Sequence, residues 1–152
     1  MELKETKELL NEHWDLLFLA DPSREMIDQY INEGIVFEAL MDNELVGIVV
    51  LVKNSVSEIE IKNIAVNPLF QGKGYAKQII EFAKKESIRL GFSKLIICTG
   101  NSSILQLALY QKCGFRMKEI THDFFLQKYE VEIWENGIQC KDLVKLEHNL
   151  ES

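Results

Sequence analysis

The chain has 152 residues, 47% of them hydrophobic and 9% aromatic, enough for one domain with a real core and too few for two. Lys and Arg number 17 against 24 Asp and Glu, and the net charge of −7 argues against a broad nucleic-acid surface built on phosphate neutralisation. Cys98, Cys113 and Cys140 form no C-x-x-C pair and read as reduced intracellular thiols, and three scattered histidines announce no metal site.

The opening MELKETKELLNEHW is charged where a signal peptide would be apolar, and no apolar run approaches the ~20 residues of a membrane span, so a cytoplasmic protein without membrane contact is expected. Residues 4 to 12 carry a short helical pattern. Asp21-Pro22-Ser23 opens a second helix over 23 to 32, with proline near its first turn. GIVFEALMDNELVGIVVLVKN reads as two strands, 34 to 41 and 45 to 53, turning at Asp42-Asn43. EIEIKNIAV, 58 to 66, alternates and then becomes apolar, as a central strand should.

The clearest helix follows the stretch QGKGYA, 71 to 76. Ala76, Ile79, Ile80, Ala83, Ser87 and Leu90 form one mostly apolar stripe, which Gly91 can end in a left-handed cap. KLIICT, 94 to 99, reads as a buried strand. Asn101 is placed to cap a helix over about 102 to 112, with Gly114 at its C-terminal end. Strands near 115 to 120 and 139 to 147 close the domain around the aromatic-rich segment HDFFLQKYEVEIWENG.

Two glycines at a helix start suit an anion, because bare backbone N–H groups and the helix N-terminus both favour negative charge. A Walker loop, G-x-x-x-x-G-K-S/T, is absent. A dinucleotide fingerprint G-x-G-x-x-G counted from Gly72 would need a small residue where Lys77 stands. What fits is Q-x-x-G-x-A, reading Gln71, Gly74 and Ala76, beyond a strand ending in IAVNP. Gly72 and Gly74 let the backbone close on a ligand, and Lys73 adds one positive charge. With a net charge of −7, local N–H donors and the roughly +0.5 charge of the helix N-terminus must supply the attraction for a phosphate.

Through IAVNPLFQGKGYA and NSSILQLALYQKCGF, between about Glu58 and Phe115, the chain resembles the GCN5-related N-acetyltransferases, which bind acetyl-CoA. The resemblance implies an α/β single domain over 1 to 152. Its mixed sheet would have about six to seven strands and about four flanking helices, with two central parallel strands, 58 to 66 and 94 to 99, splayed after a bulge near Asn63 to Ile64. It implies that Ile64, Ala65 and Val66 pair with the pantetheine arm, that Gln71, Gly72, Lys73, Gly74, Tyr75 and Ala76 hold the pyrophosphate, and that Asn101 faces the arm. Acetyl-CoA would be the acyl donor and no metal would take part.

The reaction implied is acetyl transfer to a primary amine of a small molecule or peptide. A Lys-like amine reaches its neutral form at pH 7 only at a cost of about 4.6 kcal/mol, so a base is needed. Glu60 matches a position where many members carry a carboxylate; as a strand residue it could equally face solvent. A backbone N–H near Ile64 to Val66, freed by the bulge, would meet the thioester oxygen. Tyr110 matches the family's general-acid tyrosine, and its alternative is a core aromatic. Cys113 has no adjacent base in sequence, which favours direct transfer in a ternary complex over an acyl-cysteine.

In this fold the helical segments around Leu9 to Leu17 and Met26 to Tyr30, with the 120 to 138 segment, shape the acceptor cleft. His122, Asp123, Phe124, Phe125, Tyr129 and Trp134 either line it or pack the end of the sheet. The competing reading is a non-catalytic CoA- or acyl-CoA-binding regulatory module, which would need neither Tyr110 nor Glu60. The identity of the amine and a homodimer are left open.

Overall fold

The computed structural model describes residues 1–150. Its centre is the hairpin of β2 (Ile35–Met41) and β3 (Glu44–Lys53), joined at Asp42 and Asn43 with φ of 50° and 65°, the left-handed pair that a tight two-residue hairpin turn requires. β1 (Glu2–Glu5) adds to β2, and β4 (Glu58–Val66) adds antiparallel to β3. β5 (Lys94–Gly100), β6 (Arg116–Thr121) and β9 (Leu143–Asn149) complete a seven-stranded sheet in the order β1-β2-β3-β4-β5-β9-β6. A separate small hairpin joins β7 (Trp134–Glu135) to β8 (Ile138–Gln139).

Residues 45 to 52 are apolar except for Gly47 because helices cover both faces of the sheet. On one face, α1 (Asn11–Ala20), α2 (Arg24–Asp28) and the turn after α2 bring Leu16, Leu17, Ile27 and Tyr30 against Ile48, Val50, Val52 and Ala65. On the other, α3 (Tyr75–Arg89) and α4 (Ile104–Lys112) bury Ile79, Ile80, Ala83 and Tyr110 against Val49, Leu51, Ile59, Ile61 and Ile97. A short α5 (Phe124–Lys128) lies in the aromatic segment, making five α-helices among the described residues where about four were expected.

Four expectations need correction. Residues 2 to 5 are a strand, not the start of a helix: pairing with β2 from Glu2↔Leu40 to Glu5↔Phe37 overrides a helical pattern worth only tenths of a kcal/mol per residue, about the spread of intrinsic propensities. The helix starts at Asn11 and buries His13, Leu16 and Leu17. The second helix is regular only over 24 to 28 and loosens into turns before β2. The final strand runs over 143 to 149, since residues 138 and 139 belong to the small hairpin. The bulge falls at Lys62, left over where Val50 pairs with Asn63 and Leu51 with Ile61.

Candidate active site

β4 and β5 run parallel and pair only from Glu58↔Lys94 to Ile61↔Ile97. Beyond that point β4 continues to Val66 and β5 to Gly100 without pairing. From the Lys62 bulge onward, the side of β4 that had faced β5 carries no strand. Ile64, Ala65 and Val66 keep β3 on their other side, through Val49, Ile48 and Gly47. The opening is therefore lined by backbone groups able to pair with an extended ligand, as a sheet edge pairs with a peptide.

The glycine loop sits at the end of the same strand. After Val66 the chain makes a 3-10 turn over Pro68–Phe70, stitched by Leu69 N–H donating to Asn67 Oδ1 at 3.0 Å. Gln71 Nε2 donates back to Val66 O at 3.0 Å, so this side chain fixes the loop to the strand rather than reaching outward. Gly72 and Gly74 have φ of 79° and 81°, and a Cβ on either would meet no atom within 4 Å. The space above them is open. The N–H groups of Gly72, Lys73 and Gly74 make no backbone hydrogen bond among the described residues. The first helical bond of α3 is Gln78 N–H to Gly74 O at 3.2 Å, which leaves the N–H groups of Tyr75, Ala76 and Lys77 directed out of the helix start. A left-handed glycine cradle of free donors at a helix N-terminus fits a pyrophosphate.

Tyr110 lies 5% exposed in the core beside Phe115, with ring centroids 6.3 Å apart. Burial, with Cys113 nearby, holds its phenol well above the usual range, so it stays protonated and can donate. Asn101 is not a helix cap, since α4 begins after Ser103. Its Oδ1 instead accepts from the N–H groups of Lys141 and Asp142 at 2.8 and 2.9 Å, and its Nδ2 donates to Gln139 O at 3.2 Å. It ties the end of β5 to the approach to β9. Burial raises the Cys113 and Cys140 thiols, and burial followed by the Glu60 charge pushes Cys98 up to about 12. None of the three is a ready thiolate.

Glu60 stands on the α1/α2 face, 7% exposed, and is not a solvent-facing strand residue. Its Oε1 accepts from Asn54 Nδ2 at 2.9 Å and its Oε2 lies 3.6 Å from Lys62 Nζ. On the same face, Asn63 Nδ2 donates to Leu17 O and to the Tyr30 hydroxyl, each at 3.1 Å. Tyr129 donates to Asp21 Oδ1, which also accepts the N–H of Ser23. Burial raises Asp21, against the pull of the Ser23 and Tyr129 hydrogen bonds and of Lys62. Burial pushes Tyr30 up to about 12, with the Asp21 and Glu60 charges adding to it. Asp21, Tyr30 and Asn63 carry no motif; their only signal in sequence is that each is polar within an otherwise apolar or turn-forming stretch. Of the aromatic segment, Tyr129 reaches this face, whereas Trp134 is 59% exposed and His122 lies at the surface 3.6 Å from Asp142.

Residues 3–115 match the Acetyltransferase (GNAT) family model. The chain is 49% identical over 140 residues, 92% of its length and 90% of the relative's, to the N-acetyltransferase YvbK of Bacillus subtilis (strain 168). It superposes on a Bacillus subtilis acetyltransferase in complex with CoA with a TM-score of 0.95, at 46% identity and over 99% of both chains. A GNAT family acetyltransferase from Elizabethkingia anophelis with acetyl-CoA bound gives a TM-score of 0.94, at 41% identity over 97% of each chain.

Proposed function

The chain belongs to the GNAT family of acetyltransferases, and on that premise we propose that it moves the acetyl group of acetyl-CoA directly to a primary amine of a small molecule or peptide. The observation that carries this reading is the meeting, at the end of β4, of an unpaired strand edge with a left-handed glycine cradle. One binds an extended arm and the other its phosphates.

Acetyl-CoA, when bound, supplies the thioester and the leaving thiolate. Gly72, Lys73, Gly74, Tyr75 and Ala76 hold the pyrophosphate through backbone N–H groups, with Gln71 locking the loop onto Val66. Ile64 to Val66 offer the strand edge and a backbone N–H for the carbonyl oxygen. Asn101 acts at one remove, by fixing the 139 to 142 segment. Glu60, on the face opposite α3, takes the proton from the incoming ammonium. Tyr110, neutral and without a hydrogen-bond partner for its hydroxyl among the described residues, gives a proton to the departing sulfur. The raised thiols favour direct transfer over an acyl-cysteine.

A cytoplasmic location follows from the need for acetyl-CoA, and no helix among the described residues is long and apolar enough to cross a membrane. Every group used here comes from one chain, so the reading requires no homodimer. A non-catalytic acyl-CoA-binding role would give the unpartnered Tyr110 hydroxyl nothing to do.

The test is a panel of primary amines assayed for CoA release from acetyl-CoA, beside thermal melts with CoA, NADH and ATP. CoA at ~100 times its dissociation constant should add about 2.7 kcal/mol to stability, and at least one amine should release CoA in step with an N-acetylated product. Stabilisation by NADH rather than CoA would sink the donor assignment. CoA binding without turnover of any amine would favour the regulatory module.

A further inference from the structure

We infer that Asn63 is a further catalytic residue: its side-chain oxygen accepts a hydrogen bond from one N–H of the attacking amine and aims the nitrogen lone pair at the acetyl carbonyl. This rests on the acetyltransferase reading above.

Asn63 is 3% exposed, and its Oδ1 is the one side-chain polar atom among the described residues that is wholly out of contact with solvent and has no hydrogen-bond partner. Buried amide oxygens are almost always satisfied, so an orphan of this kind calls for an explanation. An inverted amide does not supply it. Leu17 O can only accept, and it lies 3.1 Å from the atom assigned as Nδ2, so the nitrogen must face it and the oxygen must face away. The second bond from Nδ2, to the Tyr30 hydroxyl, holds the amide plane. The oxygen is thus fixed in place with nothing among the described residues to bind.

Its position suggests what it binds. Asn63 follows the Lys62 bulge, two residues past Ile61↔Ile97, the last pair before the strands part. It precedes Ile64, where the stretch assigned to the thioester oxygen begins. It also shares the α1/α2 face with Glu60, the assigned base. A nucleophile bound between Asn63 and Glu60 would sit at the mouth of the opening.

A primary amine suits both groups at once. In its neutral form it has two N–H bonds and one lone pair. One N–H can remain on Asn63 Oδ1 while the lone pair attacks, the C–N bond forms and the C–S bond breaks. Glu60 already holds the ammonium proton, so the surplus proton on nitrogen replaces the one that Tyr110 gives to the departing thiolate. An amide oxygen is too weakly basic to take a proton at neutral pH, so Asn63 orients and does not deprotonate. A secondary amine has a single N–H for both tasks and must give up one. Asn63 therefore selects primary over secondary amines.

The experiment compares n-butylamine with N-methylbutylamine as acceptors for wild type, Asn63→Ala and Tyr30→Phe, with CoA affinity by calorimetry and a melting curve for each. Wild type should favour n-butylamine. Asn63→Ala should lower kcat/KM for n-butylamine about tenfold, with a smaller loss for N-methylbutylamine and unchanged CoA affinity. Tyr30→Phe, which loosens the amide plane but spares Oδ1, should weaken the preference less than Asn63→Ala does. If Asn63→Ala does not fold, Asn63→Ser, too short to place an oxygen there, should show the same loss of preference. An unchanged preference in a folded Asn63 variant overturns the inference and leaves a buried water as the partner of Oδ1. A parallel loss in CoA affinity overturns it too, as the mark of a structural role. A wild type that does not bind CoA removes the parent reading instead.

Discussion

Tyr129 donates its hydroxyl proton to Asp21 Oδ1 at 2.9 Å across 108 residues of sequence. The bond fastens the end of α5 to the turn between α1 and α2, on the face that carries Glu60 and Asn63. Two remote parts of the chain thus meet on the face proposed to receive the acceptor. Removing the hydroxyl in Tyr129→Phe should raise the acceptor KM several-fold, consistent with about 1 kcal/mol for a hydrogen bond, and leave CoA affinity unchanged. Steady-state kinetics with each substrate varied in turn make the check, and equal changes in both KM values would show that the bond supports the whole fold instead.

Tyr110→Phe keeps the ring that packs against Phe115 and deletes a hydroxyl that has no hydrogen-bond partner among the described residues. Stability should therefore hold. If the hydroxyl protonates sulfur, kcat should fall by about a hundredfold or less, because a thiolate is already a fair leaving group. Wild-type turnover in the folded variant would take Tyr110 out of the chemistry.

Gly74→Val tests the cradle. No atom stands near the new Cβ in the free protein, so the cost there is the left-handed backbone alone, about 1–2 kcal/mol. Bound phosphate would meet the added methyl groups, and CoA affinity should drop about tenfold or more beyond that cost. Calorimetry on the folded variant decides, and unchanged affinity would move the phosphate site elsewhere.

Alkaline pH should unfold the protein partly through Tyr30. Its folded-state pKa is raised from 10.0 to about 12, so the unfolded chain loses this proton first as pH rises. The stabilisation is complete below about pH 10 and is lost between pH 10 and about 12. Denaturant titrations across that window should show a shallower decline for Tyr30→Phe than for wild type. The decline should not vanish, because the Tyr110 and Tyr129 phenols are raised as well.

The parts of the site that could be read in sequence are those made by neighbours. Gly72, Gly74 and the apolar stripe of α3 lie within twenty residues, and the turn, the donors and the buried face all follow from local chemistry. Asn101 looked like a cap because capping is also local, whereas its actual partners lie near residue 140. Residues 4 to 12 carry a helical pattern, and only the edge of β2 turns residues 2 to 5 into a strand. Asn63, Tyr30, Asp21 and Tyr129 become a group only after α1, α2, β4 and α5 have packed, and separations of 33 to 108 residues leave no pattern to find.

The early parting of β4 from β5 also makes the sheet one strand short of itself. Four register pairs, Glu58↔Lys94 to Ile61↔Ile97, are the whole ladder between its two halves. An occupant lying along residues 62 to 66 would complete the missing rung and splint the halves together. Backbone amides there should exchange with solvent quickly in the free protein and slow on CoA binding, along with those of β5 across the gap, so the ligand would act as a removable piece of secondary structure.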